Sequence, residues 1–151
     1  MNPILYQGEA VGTAREGLFP QDAQVCGIRR IIGVALGVNV NQTNTDIPIT
    51  LLLLPGAQFV VRGLQLNNAS ISLSSATAGL FTAAAGGGTT LVTNAALSAL
   101  TSATVNLDMT LATQAVVLNQ ATQANLLYFR VGTAQGAAAT VDVYIWADVL
   151  T

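Results

Sequence analysis

Three consecutive glycines, Gly86 to Gly88 in the stretch GLFTAAAGGGTTLV, are the first residues here whose type and spacing could do chemistry. Backbone amides without side chains in the way can cradle a phosphate. A phosphate loop of that kind needs Gly-x4-Gly-Lys-Ser/Thr between a strand and a helix, and this chain has no lysine. The dinucleotide pattern Gly-x-Gly-x-x-Gly does not fit either, and a β-rich stretch follows. The glycines are therefore expected to form a turn joining Leu80–Ala84 to Thr89–Thr93.

Carboxylates are the other source of chemistry. Asp142 and Asp148 fall on one face of a strand, but six residues of strand separate them by about 20 Å. A glycosidase pair needs about 5 to 9.5 Å, so each is expected to be a solvated or interface charge. Without histidine the chain lacks the usual general base and a common zinc ligand, and without lysine it cannot form a Schiff base. Asp22 and Asp46 with loop carbonyls could offer oxygens to calcium, yet no clustered Asp-x-Asp-x-Asp spacing supports such a site. Cys26 is the sole cysteine, which excludes an internal disulfide and reads as a small buried hydrophobe. No catalytic residue, metal or cofactor is expected, and the chain does not read as an enzyme.

Length and composition bound the rest. The 151 residues make one domain, large enough to fold without metal or disulfide. Only 8% are charged, against roughly 25% in an ordinary soluble domain. The surface must consist mostly of Thr, Ser, Asn, Gln and Ala, or be covered by neighbouring subunits. A net charge of -2 leaves too little positive charge for sequence-independent nucleic-acid binding or for an anionic membrane surface. The most apolar region, Ile47 to Val61, is interrupted by Pro48, Pro55 and Gly56, so no run approaches the 18 or so residues of a spanning helix. MNPILYQGEAVGTAREG shows no basic segment followed by an apolar one, which predicts folding in a cytoplasm and leaves the sequons at Asn41 and Asn68 unmodified.

Periodicity supplies the architecture. Residues 1–27, with Pro3, Gly8, Gly12, Gly17 and Pro20, read as an extended N-terminal arm, and residues 28–151 as the folded domain. From Ile28 the period is two. Val105, Leu107, Met109 and Leu111 alternate with polar residues, as do Ile71 and Leu73 among serines. Further strands are expected at Ile28–Val38, Ile47–Leu54, Gln58–Leu66, Ala115–Leu118, Leu126–Val131 and Thr140–Val149, while Thr93–Thr104 suits a helical turn or a loop. About eight strands without a long amphipathic helix predict an all-β fold, an antiparallel β-sandwich of jelly-roll-like form.

The last two strands are the most informative. Leu127, Phe129 and Val131 share one face, and so do Val141, Val143, Ile145, Ala147 and Val149. If the two strands form a hairpin with Val131 opposite Val141, then Arg130 faces Asp142, Tyr128 faces Tyr144 and Leu126 faces Trp146. Tyr128, Arg130, Asp142, Tyr144 and Trp146 would then make one non-core face. It could be covered by the chain's own arm, form an interface rich in Tyr, Trp and Arg, or serve as a sugar platform.

The succession NASISLSSATAGLFTAAAGGGTTLV, VNLDMTL and LLYFRVGTAQGAAATVDVYIWADVL resembles small structural proteins of tailed bacteriophages, especially jelly-roll head-decoration, or cement, proteins. The resemblance covers about residues 58 to 150 and lies in the order of strand, turn and Ala/Thr/Gly-rich loop. It implies a homotrimer that clamps neighbouring major capsid subunits on the capsid exterior of the virion, with residues 1–27 reaching across the shell and assembly in the host cytoplasm. Sparse charge suits surfaces buried in assembly. The alternative is a carbohydrate- or receptor-binding module of a tail fibre or baseplate, with Trp146, Tyr128 and Tyr144 stacking on sugar rings.

Overall fold

Apolar residues at every second position give strands with one buried face, and such strands are stable only when two sheets close over a shared core. The computed structural model describes residues 29–113 and 116–150, and in them the chain makes nine strands. These are β1 (Arg29–Asn39), β2 (Thr45–Thr50), β3 (Gln58–Asn67), β4 (Thr77–Ala83), β5 (Gly87–Ala96), β6 (Leu107–Met109), β7 (Leu118–Asn119), β8 (Leu126–Thr133) and β9 (Thr140–Val149). One sheet runs β1-β9-β3-β6 with β7 beside β3, and the other runs β2-β8-β4-β5. Every pairing is antiparallel. The fold is an antiparallel β-sandwich, as expected. The arm assigned to residues 1–27 lies outside the described residues, as do Cys26 and Asp22.

The strand order follows from rolling up one long ribbon. β4 pairs with β5, β3 with β6, β2 with β8 and β1 with β9, so the chain doubles back at the glycine turn and runs alongside itself. Winding that ribbon around the core brings β9 against β3 and β8 against β4, which is the jelly-roll arrangement.

The core is apolar throughout: among the described residues no buried side chain is polar or charged. β9 buries Val141, Val143, Ile145, Ala147 and Val149, and β8 answers from the opposite sheet with Leu127, Phe129 and Val131. On β3 the buried set changes parity, from Phe59 and Val61 to Leu64 and Leu66. A bulge causes this, because Val61 pairs with Ala147 while Gly63 pairs with Trp146, leaving Arg62 as the extra residue.

Several expected elements fall differently. β8 and β9 are not a hairpin but lie in opposite sheets, with six residues between Thr133 and Thr140 crossing from one to the other. Both arrangements bury the same face of each strand, so period two cannot separate them, and six residues easily bridge the ~10 Å between sheets. Ser70–Ser74 is an irregular connection rather than a strand: Leu73 is buried and its N–H donates to the Leu100 carbonyl at 2.9 Å, while Ile71 is exposed. Of Val105–Leu111 only Leu107–Met109 is strand, and Val105 and Leu111 pack on the core from its flanks. Within Thr93–Thr104, β5 continues to Ala96 and the remainder is irregular. β2 ends at Thr50, after which Leu51 makes a single bridge to Gly33.

One close approach fixes a residue type. Between Ala78↔Ala95 and Leu80↔Val92, β5 carries one residue more than β4, and its backbone presses on Gly79. A Cβ there would lie 2.6 Å from the Val92 oxygen and 2.9 Å from the Asn94 nitrogen, both backbone atoms with little room to yield. Gly79→Ala should therefore lower stability by about 1–3 kcal/mol, read as an earlier urea midpoint with unchanged slope.

Candidate interaction faces

Side chains that alternate with the core line the outside of each sheet, and the pairing register sorts them into rows. On the first sheet Asp148 of β9 sits between Arg29 of β1 and Val60 of β3. Trp146 comes next, between Ile31 and Gly63, then Tyr144 between Val34 and Gln65. Asp142 closes the series beside Asn67. Gly63 leaves space beside the indole, since the nearest atom to a Cβ built there is the Trp146 Cβ at 4.0 Å.

Charges occupy the two ends of this face. The Asp148 carboxylate accepts from Arg62 Nε at 2.6 Å and from Arg29 Nε at 3.3 Å, so one anion ties β1, β3 and β9 together. Arg62, the extra residue of the β3 bulge, lies outward on the same parity as Val60 and reaches that carboxylate from there. Burial alone pushes the Asp148 carboxyl up, but hydrogen bonds from Arg62 and Arg29 and their charges outweigh it, and the pKa lies below the ordinary carboxylate value. At the other end Asp142 accepts from the Gly37 N–H at 2.7 Å and Asn68 Nδ2 at 2.9 Å, and Asp108 accepts from Gln65 Nε2 at 2.9 Å. Those donors are neutral.

The second sheet's outer face is built otherwise. Arg130 lies between Asp46 and Gly79, and Tyr128 between Pro48 and Phe81. Arg130 Nη1 donates to Asp46 Oδ1 at 2.8 Å and Nη2 to Asn44 Oδ1 at 3.0 Å. The other Asp46 oxygen accepts the Ala85 N–H at 2.7 Å. Ala85, Gly86 and Gly88 all have positive φ, which lets the turn fold back until Gly86 lies against Arg130 and Phe81. The glycine turn thus does hold an anionic group, and that group is the chain's own Asp46.

The five residues expected to share a face are accordingly split. Tyr128 and Arg130 lie on the second sheet, and Asp142, Tyr144 and Trp146 on the first. Arg130 pairs with Asp46 rather than Asp142, Tyr128 does not meet Tyr144, and Leu126 pairs with Thr50 rather than Trp146. The cause is the crossing connection between β8 and β9. The Arg29–Asp148–Arg62 clamp was not foreseen. Alternation with Phe59 and Val61 marks Arg62 as outward, whereas Leu64 and Leu66 read backward mark it as inward, and only the bulge reconciles the two.

Among the described residues no group of three His, Cys, Asp or Glu side chains could hold a metal ion, and no helix is long and apolar enough to cross a membrane. A groove of about 270 Å³ between β5 and β6 is lined by Ala95, Leu107, Met109 and Leu111, with Asp108 as its one carboxylate. No protein-family model, curated protein or solved structure matches the chain. What the geometry defines is a jelly-roll sandwich with one self-satisfied face and one face of aromatic and charged side chains.

The clamp makes stability depend on pH with a definite sign. Because the folded pKa of Asp148 is depressed, its contribution is present in full above the unfolded value of about 3.9 and is lost as pH falls through the folded value. Asp148→Asn should therefore be destabilised relative to wild type by about 1 kcal/mol near neutral pH. The difference should shrink toward zero below the ordinary carboxylate range, as followed by urea denaturation across that interval.

Proposed function

We propose that this chain is a non-enzymatic structural protein of a virus particle, which binds the assembled capsid of a tailed bacteriophage from outside and links neighbouring capsid subunits as a homo-oligomer. The observation that carries the reading is the jelly-roll strand order combined with a surface poor in charge. Jelly rolls serve as viral capsid domains, lectins and cupins, and a chain without histidine is poorly equipped for the metal chemistry of an enzyme. The choice among these classes is a fold-level analogy, joined to the resemblance of residues 58 to 150 to head-decoration proteins. The mechanism is mass action: a protein that binds only the assembled lattice stabilises that lattice, and several weak contacts per oligomer act together through effective concentration.

A second reading, a carbohydrate- or receptor-binding module of a tail fibre or baseplate, is favoured by Tyr144 and Trp146 lying in adjacent rows, Trp146 beside Gly63 and Tyr144 beside Gln65. An indole next to an unoccupied space is a surface on which a sugar ring can stack.

Mixing the full chain with tailed-phage heads that lack accessory proteins, then pelleting, tests the first reading. Saturable co-sedimentation is expected, and a chain lacking residues 1–20 should stay in the supernatant while keeping its circular dichroism. Equal pelleting of the shortened chain would reject the arm's role. A full chain that ignores heads but binds glycans, and loses that binding on Trp146→Ala while its mass is unchanged, would overturn the capsid reading in favour of the second.

A further inference from the structure

The charges of the described residues are few enough to place one by one: Arg29, Arg30, Arg62 and Arg130 against Asp46, Asp108, Asp142 and Asp148. Arg130 and Asp46 neutralise each other on the second sheet, their side chains only 15% and 21% exposed. Everything else bears on the first sheet. At one end Arg29 and Arg62 share a single carboxylate, leaving an excess of positive charge, with Arg29 60% exposed; Arg30, in register with the buried Ala147, is on the other side of the sheet edge. Toward the other end Asp142 and Asp108 have, among the described residues, only neutral donors, which leaves their negative charge without a cation there. Between them lie Ile31, Val34, Tyr144 and Trp146, and Leu36 stands 66% exposed at the edge.

Along β9 this gives a series in which Asp148 with its two arginines, Trp146, Tyr144 and Asp142 follow one another two residues apart. The series is self-complementary. A two-fold axis running across the strands, midway between the Trp146 and Tyr144 rows, places Trp146 of one copy over Tyr144 of the other. The same rotation brings Asp142, about 20 Å along the strand, over Asp148 and between its flanking Arg29 and Arg62, so that two arginines lie against two carboxylates. Both contacts then occur twice, as an isologous interface requires. Aromatic side chains at the centre with charge toward the rim is the composition such interfaces favour.

We infer that the outer face of the first sheet is a two-fold docking surface for a second copy of this chain, with Trp146 against Tyr144 and Arg29 against Asp142. This deepens the homo-oligomer reading above, and it needs no capsid to be tested. It also specifies a pairwise contact, in contrast to the trimer that the resemblance implies.

Exchanging the charges tests the arrangement in the full chain by sedimentation equilibrium. Wild type should dimerise, and Arg29→Asp and Asp142→Arg should each weaken association at least about tenfold, since each places like charges together twice. Mixing the two single variants should restore association, because every Arg–Asp contact in the mixed pair is attractive. The double variant should recover it likewise. Circular dichroism of each variant separates lost association from lost fold, and recovery on mixing cannot come from a chain that fails to fold. A full chain that is monomeric at all concentrations, single variants that associate like wild type, or folded variants that do not recover on mixing would each overturn the proposal. Head pelleting keeps the two ideas apart. Co-sedimentation by variants that no longer pair would sink this face and leave the capsid reading standing, whereas restored pairing without co-sedimentation would do the reverse.

Discussion

Strand β9 is the constraint from which the rest follows. It is hydrogen-bonded along both edges, to β1 on one side and β3 on the other, and buries every second side chain. Its partners are remote: Asp148 pairs with Arg29, 119 residues earlier. A sheet centred on such a strand can complete itself only after the intervening chain has found its place, so formation of this fold depends on non-local pairing. The ribbon order grades that demand. The β4–β5 pair is local, and the pairs β3 with β6, β2 with β8 and β1 with β9 join stretches progressively farther apart in the chain.

Placing β9 between β1 and β3 also decides where charge can sit. Its outward residues are flanked on both sides, so any ion there needs a partner from a neighbouring strand. Arg29 meets Asp148 by direct register, whereas Arg62, outward by alternation with Phe59 and Val61, reaches across from β3, where Val60 is the residue in register with Asp148. The bulge thus does two things together. It shifts the buried set from Phe59 and Val61 to Leu64 and Leu66, and it leaves Arg62 unpaired on the outer side, next to the Val60 row in which Asp148 sits.

The sequence made the strands legible and left their partners obscure. Thr140–Val149 is read from alternation alone to its last residue, and the core sets of β8 and β9 follow directly, because a buried face leaves its mark every two residues. Which strand lies beside which leaves no such mark. Leu127, Phe129 and Val131 would be equally buried in a hairpin with β9 or across the core from it, and the difference decides whether Arg130 meets Asp142 or Asp46. Alternation over a few residues misleads in another way. In Ser70–Ser74 one buried leucine and one exposed isoleucine mimic a strand, although Leu73 is held by a single backbone bond to Leu100.

The glycine turn completes the asymmetry between the two faces. Its positive-φ residues bring the Ala85 amide to Asp46, whose other oxygen neutralises Arg130, so one carboxylate satisfies a turn and a cation together. That side of the sandwich keeps its polar groups for itself, and Phe81 is nearly enclosed there. The opposite side has no such turn folded over it from β4 and β5. Among the described residues its Asp142 and Asp108 hold only neutral donors, its arginines outnumber the carboxylate they share, and its aromatic rows lie between. With charge so scarce over the whole chain, this division leaves one face whose arginine and carboxylate neutralise each other and one whose charges are separated toward opposite ends.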